Sequence, residues 1–181
     1  MKRMLLAGAV CLVMSGGLLA QTTPPTTPAP TPDRGGALHS APSGQEFVTK
    51  VAVSDMFEIE SSQLALSKQP DQSTKTFADR MVTDHQKTSS ELKSLVQSGK
   101  VKADLPAKLD AEHQKMLDEL KAKNGNDFAQ SYHRIQVKAH EDAVALFTAY
   151  STSGDIEPLK GWAATTLPHL KEHLSLAQKL K

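Results

Sequence analysis

Histidine is the residue type in this chain best suited to chemistry, and His85 is the one whose placement is most informative. It lies in Thr74 to Val96, TKTFADRMVTDHQKTSSELKSLV, where Phe77, Met81, His85, Leu92 and Val96 recur at helical spacing. The stripe that should face a core therefore carries an imidazole halfway along it, next to Asp84. A histidine so placed is either a hydrogen-bonded core residue or a ligand.

Other chemistries lack their residues. The single cysteine, Cys11, falls in the first twenty residues, so the rest of the chain offers no disulfide, thiol nucleophile, cysteine-ligated zinc or iron–sulfur cluster. No serine sits in a Gly-x-Ser-x-Gly elbow, and no glycine-rich phosphate loop occurs. Met56, Met81 and Met116 are too scattered for a methionine-rich copper site. No Glu-x-x-His occurs either, although two copies of it supply the carboxylates and imidazoles of di-iron bundles. Asp110-Ala-Glu-His113 is the nearest imitation and reads as surface.

The elements that must position His85 follow from pattern and punctuation. Ser43-Gly44-Gln45-Glu46 fits a capping box and opens a helix to about Lys68, with Val48, Val51, Ala52, Met56, Ile59 and Leu66 as its apolar stripe. Asp55 and Ser62 lie near that stripe, and Glu58 and Glu60 lie on its flanks. Pro70-Asp71 turns the chain into a second helix, from about Gln72 to Ser98, which Gly99 ends. A shorter amphipathic segment covers Leu105 to Lys123, and Asn124-Gly125-Asn126 breaks the chain before a helix from about Asp127 to Ser151. Pro158 opens the last helix, which carries Leu159, Trp162, Leu167, Leu170 and Leu174 and has Pro168 in its interior. Four long helices with one short helical excursion between the second and third predict an all-α, antiparallel four-helix bundle.

Ahead of that domain (43–181) lie two other kinds of sequence. Residues 1–20 carry Lys2 and Arg3 and then an apolar run ending in Ala20, the layout of a secretory signal peptide. The expected location is therefore the periplasm or the exterior. Residues 21–42 are dense in Pro and Thr with almost no large apolar side chain, as in an extended tether. Losing the leader turns a formal charge of +1 into −1, and lysines interleaved with acids read as solvated faces rather than a nucleic-acid surface. No segment of the mature chain is apolar enough to span a membrane.

Four segments, EIESSQLAL (58–66), FADRMVTDHQKT (77–88), FAQSYHRIQVKAHE (128–141) and LPHLKEHL (167–174), together with the leader, resemble the bacterial family called domain of unknown function 4142. The resemblance implies a secreted or periplasmic ferritin-like bundle and brings no activity with it. By position, the family's recurrent polar residues fall on Glu58, Asp84, His85, Tyr132, His140 and His173.

Two readings of those residues follow. His85, His140 and His173, with Tyr132, can form a buried hydrogen-bonded network that fixes helix register. With Glu58 and Asp84 nearby, the same three imidazoles can hold one transition-metal ion, such as zinc, copper or iron. Function divides accordingly. The leading expectation is a non-catalytic envelope protein with a structural or stress-related role. A metal-binding or metal-dependent redox protein is the alternative, and an interaction module on a tether, its protein partner unknown, is a third.

Overall fold

The computed structural model describes residues 41–180. The expected leader, Cys11, His39, the Pro/Thr-rich segment up to residue 40 and Lys181 lie outside the described residues. Within them are five helices and no strand: α1 Gly44–Ser67, α2 Gln72–Gln97, α3 Ala111–Lys121, α4 Gly125–Ser153 and α5 Glu157–Ala177. None of these helices is long and apolar enough to cross a membrane.

Local chemistry sets the boundaries. The Ser43 hydroxyl accepts from the Glu46 N–H at 3.4 Å while the Glu46 carboxylate accepts from the Ser43 N–H at 2.9 Å, so the capping box predicted from sequence is formed. Asp71 caps α2 by accepting from the N–H groups of Ser73 and Thr74 at 2.9 and 3.1 Å. Past the other end of α2, Gly99 takes a φ of +74°, the left-handed region that glycine enters without a Cβ penalty. The amphipathic pattern from Leu105 becomes helical only at Ala111. Pro106 keeps the preceding backbone extended, and Asp110 caps the new helix through the His113 N–H at 2.8 Å. In α5, Pro168 removes one amide donor without ending the helix.

Short turns join α1 to α2 and α4 to α5, and those pairs pack most extensively; α1 also lies along α4, and α2 along α5. One end of the bundle gathers Phe77 and Met81 of α2, Phe128 and Tyr132 of α4 and Ala177 of α5, with Phe57 and Ala65 of α1. The other gathers Phe47, Val48 and Val51 of α1, Leu92 of α2, Phe147 and Tyr150 of α4 and Leu159, Ala163 and Leu170 of α5. These four pairs of long helices are thus antiparallel, and the chain from α2 to α4 must travel the length of the bundle. Val101 packs at the first end of that crossover and Leu117 and Leu120 at the second, which is the single long connection of ferritin-like bundles.

The end holding Phe47 is an aromatic stack. Phe47 lies 3.9 Å from Tyr150 in near-parallel orientation, with Phe147 and Trp162 edge-on or tilted around it. The Trp162 indole N–H donates to Glu91 at 2.9 Å, and the Tyr150 hydroxyl donates to Asp155 at 2.8 Å across the α4–α5 turn. Burying each large side chain contributes roughly 1.5–3 kcal/mol, so both ends are strong hydrophobic clamps. Between them lies a layer in which Asp55, Glu58, His85, Gln136, His140 and His173 occupy core positions.

Candidate metal centre

Each long helix brings a polar residue into this layer at a position its own periodicity reserves for the core. On α2, His85 follows Met81 by one turn; on α4, Tyr132, Gln136 and His140 step by four; on α5, Leu170, His173 and Ala177 step by three and four. Asp55 and Glu58 come from α1. The three imidazoles, 4%, 1% and 2% exposed, form a nearly equilateral triangle with ring centroids 5.7, 5.7 and 5.4 Å apart.

Each ring is held by one nitrogen and leaves the other free. His85 Nδ1 is 2.8 Å from Asp55 Oδ1, and Thr88 and Ser89 donate to the other oxygen of that carboxylate. His140 Nδ1 donates to the Gln136 carbonyl at 2.8 Å, which fixes its tautomer and leaves a lone pair on Nε2. His173 Nε2 is 2.8 Å from Asp84 Oδ2, which also accepts from Arg80 Nε at 3.2 Å. His85 Nε2, His140 Nε2 and His173 Nδ1 are buried without a protein partner. One ring nitrogen from each of the three lies within 4.8 Å of the other two. Two nitrogens bound to one ion at ~2.0–2.1 Å stand ~3.3–3.6 Å apart, so small ring rotations close the triangle onto a single ion. A carboxylate or backbone carbonyl behind each ring is the outer-sphere support that metal-ligating histidines use.

Electrostatics prepares two of the rings as neutral ligands. Burial, reinforced by the nearby His85, pushes His140 down to about 3, and burial pushes His173 down to about 4 against the pull of Asp84. Burial would lower His85 too, but its hydrogen bond to Asp55 and the charges of Asp55, Glu58 and Asp84 outweigh this and raise it. Glu58 is fully buried, and neither carboxylate oxygen has a protein partner. Desolvation lifts it to about 7, only partly offset by the nearby His85.

Of the residues expected in a site, His85, His140 and His173 converge. Asp84 stands behind His173 as its acceptor, and Glu58 lies outside the close triangle with its charge felt by His85. Tyr132 is elsewhere: its hydroxyl is 2.8 Å from Ser62 Oγ, and among the described residues it bonds to none of the three histidines. Sequence reasoning missed Asp55 and Gln136 as site residues. Asp55 had been placed near the stripe of α1, and Gln136 lies one turn from both Tyr132 and His140, so periodicity held a signal for each. His133 belongs to a separate corner with Thr74 and Asp71. His113 is half-buried, with Nδ1 2.8 Å from Asp110 and its ring against Phe57, while Glu60 and His169 are exposed.

A family model described as domain of unknown function (DUF4142) matches residues 28–180. Among solved structures, CopM in the Cu(II)-bound form is similar to this chain, with a TM-score of 0.64 and 18% identity, covering 77% of this chain and 95% of that one. At that identity the likeness is one of fold. No curated protein matches the sequence.

Proposed function

The chain belongs to the DUF4142 family, and from that premise we propose that its bundle binds one transition-metal ion, copper(II) first among the borderline ions, through His85, His140 and His173. The observation that carries this reading is that three buried ring nitrogens lack partners, one nitrogen from each ring lies within 4.8 Å of the other two, and each ring's other nitrogen is anchored. A layer serving only to fix register would turn those nitrogens on one another or on Glu58. Leaving each unpaired costs about 1–3 kcal/mol, which an ion taking three lone pairs offsets.

Three imidazoles suit zinc, copper and nickel, and copper(II) leads the affinity order for a given nitrogen site. CopM, which shares the fold, was solved with Cu(II) bound, and this supports trying copper first. Glu58, buried in the same layer with both oxygens unpartnered, is the candidate for a fourth, charge-compensating position. The function so proposed is holding of a metal in the bacterial envelope, the location that the leader-like residues 1–20 suggest. The test is metal content of the chain purified without a histidine tag from its native compartment. One ion per chain, lost in His85→Ala, supports the reading; a metal-free chain whose melting temperature ignores copper, zinc and iron refutes it.

A further inference from the structure

The three imidazoles are buried, so an ion must pass between helices to reach them, and two clefts come close. The larger, about 610 Å³, is walled by α1, α3 and α4 and touches only His85 of the three. Asp55, Asp110, Glu112 and Asp142 line it beside Val, Phe, Met, Ile and Leu side chains, so what sets it apart is that it reaches one of the three histidines, on the ring whose Nδ1 already faces Asp55. The smaller, about 220 Å³, lies between α2 and α5 and is lined by both His85 and His173, together with Asp84, Glu91, Thr165 and His169. His169 is exposed and sits one helical turn before His173, so both rings project from one face of α5.

We propose that the cleft between α2 and α5 is the passage by which the metal ion reaches its centre and that His169 is a transit ligand at its mouth. This rests on the reading of His85, His140 and His173 as metal ligands. A hydrated divalent cation cannot enter a dry layer without surrendering water, and the loss is easiest one ligand at a time. The His169 lone pair replaces a first water while the ion is still in solvent. His173 Nδ1, one turn deeper and free of protein partners, then replaces His169. No electron moves, the waters return to solvent and His169 is regenerated. The carboxylates of Asp84 and Glu91 along the wall offset the positive charge of Lys87 and favour a cation there.

A transit ligand is absent from the final coordination set, so its removal slows loading and release by one factor and leaves the equilibrium affinity unchanged. A residue that merely supported the fold would shift affinity or stability instead. The experiment is stopped-flow mixing of the purified chain with Cu(II), followed by quenching of Trp162, the sole tryptophan, with release read by chelator competition. For His169→Ala the expected result is ~10-fold slower uptake and ~10-fold slower release with Kd within about 2-fold of the parent. Thr165→Phe, at the wall of the same cleft, should slow both rates as well, whereas Asp142→Phe, on the larger cleft, should slow neither. Parent-like rates in His169→Ala, or slowing only in Asp142→Phe, would overturn the passage while leaving the centre intact. A parent chain that takes up no Cu(II) at equilibrium would overturn both.

Discussion

The bundle buries histidine in two ways. In one corner, His133 Nε2 lies 2.9 Å from Thr74 Oγ1, and the Thr74 hydroxyl donates to Asp71 at 2.7 Å. Burial lowers His133, so a neutral ring donates into a chain of hydrogen bonds that ends on a solvent-exposed carboxylate. In the layer between the two hydrophobic ends, His85, His140 and His173 are equally well anchored on one side, yet each keeps a buried, unpaired nitrogen, and one nitrogen from each lies within 4.8 Å of the other two. Burial alone therefore does not mark a binding histidine. What separates the two regions is that, among the described residues, the buried ring nitrogens without a partner belong to His85, His140 and His173 and none to His133.

The sharpest way to break this comparison is to substitute across it. His140→Ala or His173→Ala should weaken Cu(II) binding by ~100-fold or more, about 3 kcal/mol, because a lost ligand exceeds the 10–100-fold of a lost outer-sphere partner. His133→Ala should leave affinity within about 2-fold, as titration calorimetry would show. Equal losses from both regions would erase the distinction.

A second difference is electrostatic. Glu58, raised to about 7 by burial, holds its proton more tightly folded than unfolded. Its neutral form is therefore favoured by folding, and metal-free stability should fall as pH rises from about 4.5 to 7, by on the order of 3 kcal/mol. Glu58→Gln should flatten that limb in denaturant titrations at several pH values. Asp71 in the other corner has the opposite sign. Hydrogen bonds from Ser73 and Thr74 depress it, so its contribution is present above the usual carboxylate range and is lost as pH falls through and below that range. Asp71→Asn should lessen the acid sensitivity.

Smaller effects sharpen the account. Asp55→Asn keeps the shape behind His85 but loses the charge, and should weaken Cu(II) binding by ~10–100-fold with little change in metal-free stability. His133→Ala should do the reverse, lowering metal-free stability by about 1–3 kcal/mol through the lost hydrogen bond to Thr74 and the lost packing, read as a shift in denaturation midpoint.

Much of this arrangement was legible in the sequence. Ser43 with Glu46, Pro70-Asp71, Gly99 and Asn124-Gly125 punctuate helices whose stripes are regular, so four long helices could be counted directly. His85 stood out because it interrupts such a stripe, and His140 and His173 were named through the family resemblance. Their convergence was not legible, because it depends on the axial register of three helices, which side-chain packing and the long α2–α4 crossover set. For the same reason Asp55 could be placed on α1 but not paired with His85, a choice fixed by how α1 meets α2. The start of α3 was misjudged because amphipathic spacing ran through Pro106, where backbone sterics overrode it. Tyr132 was grouped with the histidines through the same family resemblance, and its hydroxyl bonds to Ser62.

The central claim is that three ring nitrogens meet on one ion, and electron paramagnetic resonance of the chain loaded with one equivalent of Cu(II) tests it most directly. The account predicts a single copper species with nitrogen couplings from three imidazoles, reduced to two in each of His85→Ala, His140→Ala and His173→Ala. A spectrum of aquated or heterogeneous copper, or one that survives all three substitutions unchanged, would contradict it.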